Sequence, residues 1–115
     1  MVHKKFILDS FKLLEDGNHI EFLFQLSDNV TLNFNKSRPF IGKSVIKDEI
    51  GKIYSLSNRY DHTFINVWEV DDTYTITADL TIKNQNVETK EIPWIAIVKM
   101  DHGKIGQIEL FTELE

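Results

Sequence analysis

The sequence has no cysteine, which excludes disulfide bridges and thiolate chemistry. It has no long apolar run: nothing approaches the roughly 18 residues that a membrane-spanning helix needs. Basic clusters are missing too. Lys and Arg total 13 against 18 Asp and Glu, for a formal net charge of −5, and apart from Lys4-Lys5 the cations are scattered singly. A surface for nucleic acid or an anionic membrane needs clustered Lys and Arg to neutralise phosphates, so neither partner is expected. With two prolines and no linker, repeat or low-complexity stretch, nothing divides the chain.

What is present is the balance of a soluble globular protein, 42% hydrophobic and 27% charged, long enough for one core. A single domain over residues 1–115 is expected. The opening residues carry early positive charge but no continuing apolar stretch and no small-residue cleavage site. They read as a helix rather than a signal peptide, and a cytoplasmic location is expected.

Periodicity places the elements. Ile7, Phe11 and Leu14 recur at helical spacing, and Asp16-Gly17 stops that helix. Asn18 can cap a short second helix with an Ile20, Leu23 and Phe24 stripe, ended by Ser27-Asp28-Asn29. Val30 to Phe34 alternates as a short strand. A loop from Asn35 to Gly42 leads into a third helix on Ile46, Ile50 and Ile53. Beyond Asn58 the pattern is antiparallel strands, with turns at Asp71-Asp72, at Asn84-Gln85-Asn86 and, as a three-residue loop, at Asp101-His102-Gly103.

Counting outward from the Asp71-Asp72 turn gives a register. Trp68 opposes Thr75, Asn66 opposes Thr77, Phe64 opposes Asp79 and His62 opposes Thr81, all projecting from one face. Ile65, Val67, Ile76, Ala78 and Leu80 make the other face almost purely apolar. Counting through the next turn adds Ile92, Trp94, Ala96 and Val98 to the mixed aromatic and polar face, which has the character of a ligand pocket. A bulge at Pro93 would swap the faces downstream of it.

Several stretches, in order, resemble the SnoaL-like branch of the NTF2-like superfamily. They are Leu26 to Leu32, Phe34 to Gly42, the pair His62 and Trp68 six apart, Ile92-Pro93, and Asp101 to Ile105 with Ile108 and Phe111. The resemblance covers nearly the whole chain. It implies an α+β cone of three N-terminal helices on a strongly curved, mainly antiparallel sheet (α-α-β-α-β-β-β-β), enclosing a pocket, with dimerisation through the sheet. It also implies very diverse functions, among which fold alone does not choose.

Two known chemistries of that superfamily do not carry over. Ketosteroid isomerases need a carboxylate base, a tyrosine and a donor acid; here Phe34, Ser10 or Phe11, and Ala96 stand at the matching positions. The epoxide hydrolases need an Asp–Arg–Asp set, but Leu110 takes the inward position and no arginine follows Arg59. The remaining acid/base candidates are His62 with Asp79 as its diagonal neighbour. Ligand-lining candidates are Phe34, Arg38, Asn66, Trp68, Thr77, Trp94 and Ala96, with Arg38 a possible anion clamp at the cone mouth. His3, His19 and His102 read as surface residues. No histidine spacing resembles a metal site, and no motif calls for a cofactor.

Three functions fit this pattern. The first is a pocket protein that binds a small apolar or aromatic molecule. The second is an isomerase, cyclase or dehydratase that uses His62 and Asp79, and the third is an assembly module acting through its sheet face. A homodimer is expected, mainly from the resemblance and secondarily because both sheet faces are rich in large apolar residues while one layer of short helices covers only one of them.

Overall fold

The computed structural model describes residues 2–84 and 89–113. Its elements run α1 Lys4–Glu15, α2 His19–Phe24, β1 Leu26–Phe34, β2 Phe40–Ile41, α3 Lys43–Ile53, β3 Arg59–Val70, β4 Thr73–Lys83, β5 Thr89–Asp101 and β6 Lys104–Thr112. The strands form one sheet in the order β2-β1-β6-β5-β4-β3. All neighbours are antiparallel except β1 and β6. This is the expected α+β cone, with β2 as an added two-residue strand inside the Asn35–Gly42 loop. The turn expected around Asn84-Gln85-Asn86 lies largely outside the described residues.

The helices pack over one face of the sheet. Helix α1 buries Ile7, Ser10, Phe11 and Leu14, and it ends where Gly17 takes φ +76°, a conformation that costs glycine little. Helix α3 buries Ile46, Ile50 and Ile53 as its spacing predicts. Helix α2 departs from its expected stripe. It buries Phe22, while Ile20 and Phe24 are exposed. Six residues make fewer than two turns, too short for a helical stripe to decide the buried side. Strand β1 also begins earlier than expected, at Leu26, because Leu26 and Val30 both reach the core.

On the sheet, Tyr74, Ile76, Ala78, Leu80 and Ile82 of β4 and Ile92, Trp94, Ala96, Val98 and Met100 of β5 face the helices and are buried. Their partners agree: Ala78 pairs with Trp94 and Leu80 with Ile92. The β5–β6 turn closes on an Asp101–Lys104 pair, so it has two residues rather than three. His102 and Gly103 both adopt positive φ there, as such tight hairpin turns require.

Bulges in β3 and β6 set which of their side chains face inward. In β3 the register shifts between Phe64 and Asn66, so Tyr60, His62 and Phe64 face the helices, and after the extra residue Ile65 it is Val67 that does. In β6 the ladder shifts between Lys99 and Met100, leaving Gly106 unpaired and bringing both Ile105 and Ile108 inward. A Cβ on Gly106 would lie 2.7 Å from the Asp101 Cβ, so this bulge needs glycine. Leu110 and Ile108 anchor the last strand, and Phe111 is half-buried on the opposite face.

The register expected from the Asp71-Asp72 turn therefore holds only as far as Asn66. Beyond the bulge Phe64 pairs with Ala78 and His62 with Leu80, not with Asp79 and Thr81. The faces are corrected accordingly. Trp94 and Ala96 belong to the buried apolar face, with no swap at Pro93. Asn66, Trp68, Thr77 and Asp79 lie on the outer face, and Ile65, expected in the core, is exposed.

Candidate functional site

Four polar side chains meet inside the cone. Glu15 ends α1, Tyr54 directly follows α3, His62 lies on β3 and Trp94 on β5. Oε2 of Glu15 lies 2.9 Å from His62 Nδ1 and also accepts the His62 backbone N–H. Tyr54 Oη lies 2.9 Å from His62 Nε2, and Trp94 Nε1–H donates to Tyr54 Oη at 3.0 Å. The His62 imidazole has no solvent exposure, and Tyr54 and Trp94 are fully buried.

The donor inventory assigns the protons. An indole N–H only donates, so Tyr54 Oη is an acceptor toward Trp94 and its own O–H is free to donate to His62 Nε2. That leaves Nδ1 as the protonated ring nitrogen, donating to Glu15. A neutral Nδ1–H tautomer satisfies every group, whereas an imidazolium would leave the Tyr54 O–H without its acceptor.

Electrostatics follow the same arrangement. Burial pushes the Glu15 carboxyl up, but the two His62 hydrogen bonds and the nearby Lys12 ammonium more than offset it and hold it below its ordinary 4.5. Burial pushes the Tyr54 hydroxyl far above its ordinary range, and the Glu15 charge adds to this against the Trp94 N–H. Tyr54 is therefore a neutral phenol that passes hydrogen bonds on.

Aromatic rings wall the network. Phe11 meets Trp94 edge-on at 4.9 Å, Phe64 stacks on His62 at 5.6 Å, and Tyr60 meets Tyr54 edge-on at 5.1 Å. Beyond Tyr60 a cleft of about 470 Å³ opens between the end of α3 and the ends of β3, β4 and β5. Ile53 and Ser55, either side of Tyr54, line it with Tyr60, Asn58, Ile82 and Ile92, and Lys52, Asn84, Lys90 and Glu113 make the rest of its lining polar and charged. The Tyr60 hydroxyl accepts the Ser55 backbone N–H and the Asn58 side-chain amide.

Of the residues expected in the site, His62 and Trp94 are brought together, with Ala96 further along the same buried face. The His62–Asp79 contact does not form. Asp79 pairs with Thr63 and Pro93 on the outer face, because the Ile65 bulge moves β3 by one residue. Asn66 and Trp68 are exposed and Thr77 half-buried on that outer face. Phe34 packs against the core at the end of β1, and Arg38 is exposed in the β1–β2 loop, outside the lining of the cleft. His19 is half-buried rather than a surface residue, and burial lowers its pKa. Among the described residues no three His, Asp or Glu side chains gather closely enough to hold a metal ion.

Glu15 and Tyr54 are the partners that periodicity alone passes over. Each carries a usable signal: Glu15 lies four residues after Phe11 and Tyr54 four after Ile50, so each extends a buried stripe with a polar tip.

No protein-family model matches the sequence, and no curated protein matches it by sequence. Solved structures do match by shape. A protein provisionally described as a SnoaL-like polyketide cyclase from Shewanella putrefaciens CN-32 superposes with TM-score 0.84 at 10% identity, covering 98% of this chain and 90% of that one. The epoxide hydrolase/cyclase-like enzyme SalBIII, of pyran-ring formation in the polyether salinomycin, gives 0.79 at 12% identity, covering 96% and 89%. An NTF2-like protein of unknown function from Cytophaga hutchinsonii ATCC 33406 gives 0.71 at 15%, covering 93% and 86%. The chain has the SnoaL-like, NTF2-like fold. Identities this low establish the cone and leave its chemistry to its own residues. Among the described residues no helix is long and apolar enough to cross a membrane.

Proposed function

We propose that this SnoaL-like chain is a small-molecule enzyme of the isomerase, cyclase or dehydratase type. In this reading it moves a proton on a small apolar or aromatic substrate through Tyr54 and His62. The observation that carries the proposal is the histidine held at both nitrogens, by Glu15 at Nδ1 and by Tyr54 at Nε2, each at 2.9 Å. A structural histidine needs only satisfied nitrogens. One with a carboxylate behind it and a proton-passing phenol in front of it is arranged to gain a proton and be stabilised as imidazolium.

In this reading the substrate enters the cleft beside Tyr60, whose volume suits a molecule of modest size. The Tyr60 ring turns aside to admit it to Tyr54. The substrate proton passes to the Tyr54 oxygen as the Tyr54 proton moves to His62 Nε2, and Glu15 remains ionised throughout. The shape likeness to a cyclase-like enzyme supports the same class.

Deuterium incorporation tests this. With a small aromatic ketone such as 2-tetralone in D2O, the protein accelerates exchange at the carbon beside the carbonyl, and His62→Gln loses the acceleration, roughly a hundredfold or more. Equal exchange with and without His62 refutes it.

A second reading, a binding protein without catalysis, is favoured by one observation: the His62 ring has no exposure to solvent. It predicts that apolar ligands raise the melting temperature while no exchange occurs. For assembly we propose a homodimer through the outer sheet face, where Ile65, Trp68 and Ile95 are exposed and would be covered by a second copy.

A further inference from the structure

A second concavity lies on the other side of His62 from the Tyr60 cleft. It is a groove of about 340 Å³ between α1 and β3, lined by Lys4, Lys5, Leu8, Asp9, Lys12 and Phe64. Lys4, Leu8 and Lys12 recur every four residues, so they form one stripe along the helix. An apolar side chain is thereby flanked by an ammonium on either side, about 12 Å apart at the backbone. Phe64 supplies the apolar wall opposite and stacks its ring on His62.

The charge is unusual for this chain. The whole protein carries −5, yet the groove holds three ammonium groups against one carboxylate. Asp9 is taken by Lys5 at 2.5 Å, and among the described residues neither Lys4 nor Lys12 makes an ion pair. Two cations outside any ion pair therefore flank an apolar floor, Lys12 near enough to Glu15 to feel its charge.

We propose that this groove binds an apolar carboxylate, an aromatic or acyl group lying on Leu8 and Phe64 with its anion held by Lys4 or Lys12. The apolar body removes Leu8 and Phe64, both half-exposed, from water. The carboxylate meets ammonium groups that no ion pair occupies. A neutral molecule gains only the first of these, so the site selects anions. The inference does not depend on the proton-transfer reading: Lys12 acts on Glu15 only through its charge, and no lysine of the groove hydrogen-bonds to the Glu15–His62–Tyr54 network.

The probe is 2-naphthoate, with 2-naphthalenemethanol as its neutral counterpart, titrated into the 15N-labelled full chain. Binding of 2-naphthoate shifts the amide signals of Leu8, Lys12 and Phe64. Its affinity drops about tenfold in the K4Q/K12Q double variant, and it weakens with added salt. The alcohol binds more weakly and responds to neither change. Three results overturn the proposal: no saturable binding of 2-naphthoate, shifts confined to Ser55, Asn58 and Ile92 around the other cleft, or unchanged affinity in K4Q/K12Q. Loss of K4Q/K12Q association with anionic vesicles, without any 2-naphthoate binding by the parent, overturns it in favour of a lipid surface. Both lysines are exposed, so the variant keeps the fold, which circular dichroism checks.

Discussion

Glu15 receives both the backbone N–H and the ring Nδ1–H of His62 on a single carboxylate oxygen, Oε2. One side chain thus closes an edge-strand N–H of β3 and orients the imidazole, tying the end of α1 to a strand 47 residues later. A carboxylate so engaged is a stability element whose worth depends on pH.

That dependence has a definite sign. The folded-state pKa of Glu15 is depressed below 4.5, so its contribution is fully present above 4.5 and is lost as pH falls through the folded-state value. Urea denaturation across that acid range shows the parent losing stability. Glu15→Gln, already weaker at neutral pH by about 1–3 kcal/mol, loses less. An identical acid dependence in the two proteins counts against the pairing.

Tyr54→Phe removes one oxygen and strands two groups, the Trp94 Nε1–H and the His62 Nε2. The expected loss is about 1–3 kcal/mol for the unsatisfied buried partners. Trp94→Phe in the Tyr54→Phe background then adds less than Trp94→Phe does alone, since the indole N–H is no longer bonded. Strict additivity in a double-mutant cycle would show the two side chains to be independent.

The two tryptophans report which sheet face is which. Trp94 is fully buried and Trp68 is 53% exposed. In an Ile95→Lys background, which uncovers the outer face, iodide quenches the fluorescence of the Trp68 population only, and adding Trp68→Phe leaves emission that is blue-shifted and protected. Trp94→Ala destabilises by about 3–5 kcal/mol as a core truncation. Quenching that survives Trp68→Phe would reverse the face assignment.

The outer face carries the assembly prediction. If a second copy covers Ile65, Trp68 and Ile95, the parent sediments as a dimer at micromolar concentration, and Ile95→Lys with Trp68→Ser sediments as a monomer. A parent that is already monomeric removes this proposal.

Much of the fold was legible because local rules and tertiary packing agree. The α3 stripe of Ile46, Ile50 and Ile53, the Asp71-Asp72 turn and the meander after Asn58 all appear where periodicity puts them. The candidate site was legible only in part, and one residue accounts for most of the difference. On either side of Ile65 both alternation phases are apolar, Phe64 with Trp68 and Ile65 with Val67, so pattern does not say which phase faces inward. Packing against α1 selects Phe64 and then Val67, and Ile65 absorbs the mismatch as a bulge. That single step separates His62 from Asp79 and turns Trp68 outward. Glu15 stayed hidden for another reason: a glutamate at a helix end is ordinarily a solvated charge, and only the strand beside it makes it a ligand for His62.

The central claim is that His62 is a neutral imidazole held between Glu15 and Tyr54, and long-range 1H–15N correlation of the ring nitrogens measures this directly. At neutral pH the account predicts a protonated Nδ1 and an unprotonated, hydrogen-bonded Nε2, a pattern that weakens in Glu15→Gln. A ring protonated at Nε2 alone, or one that exchanges freely between tautomers as in a solvated histidine, would contradict it.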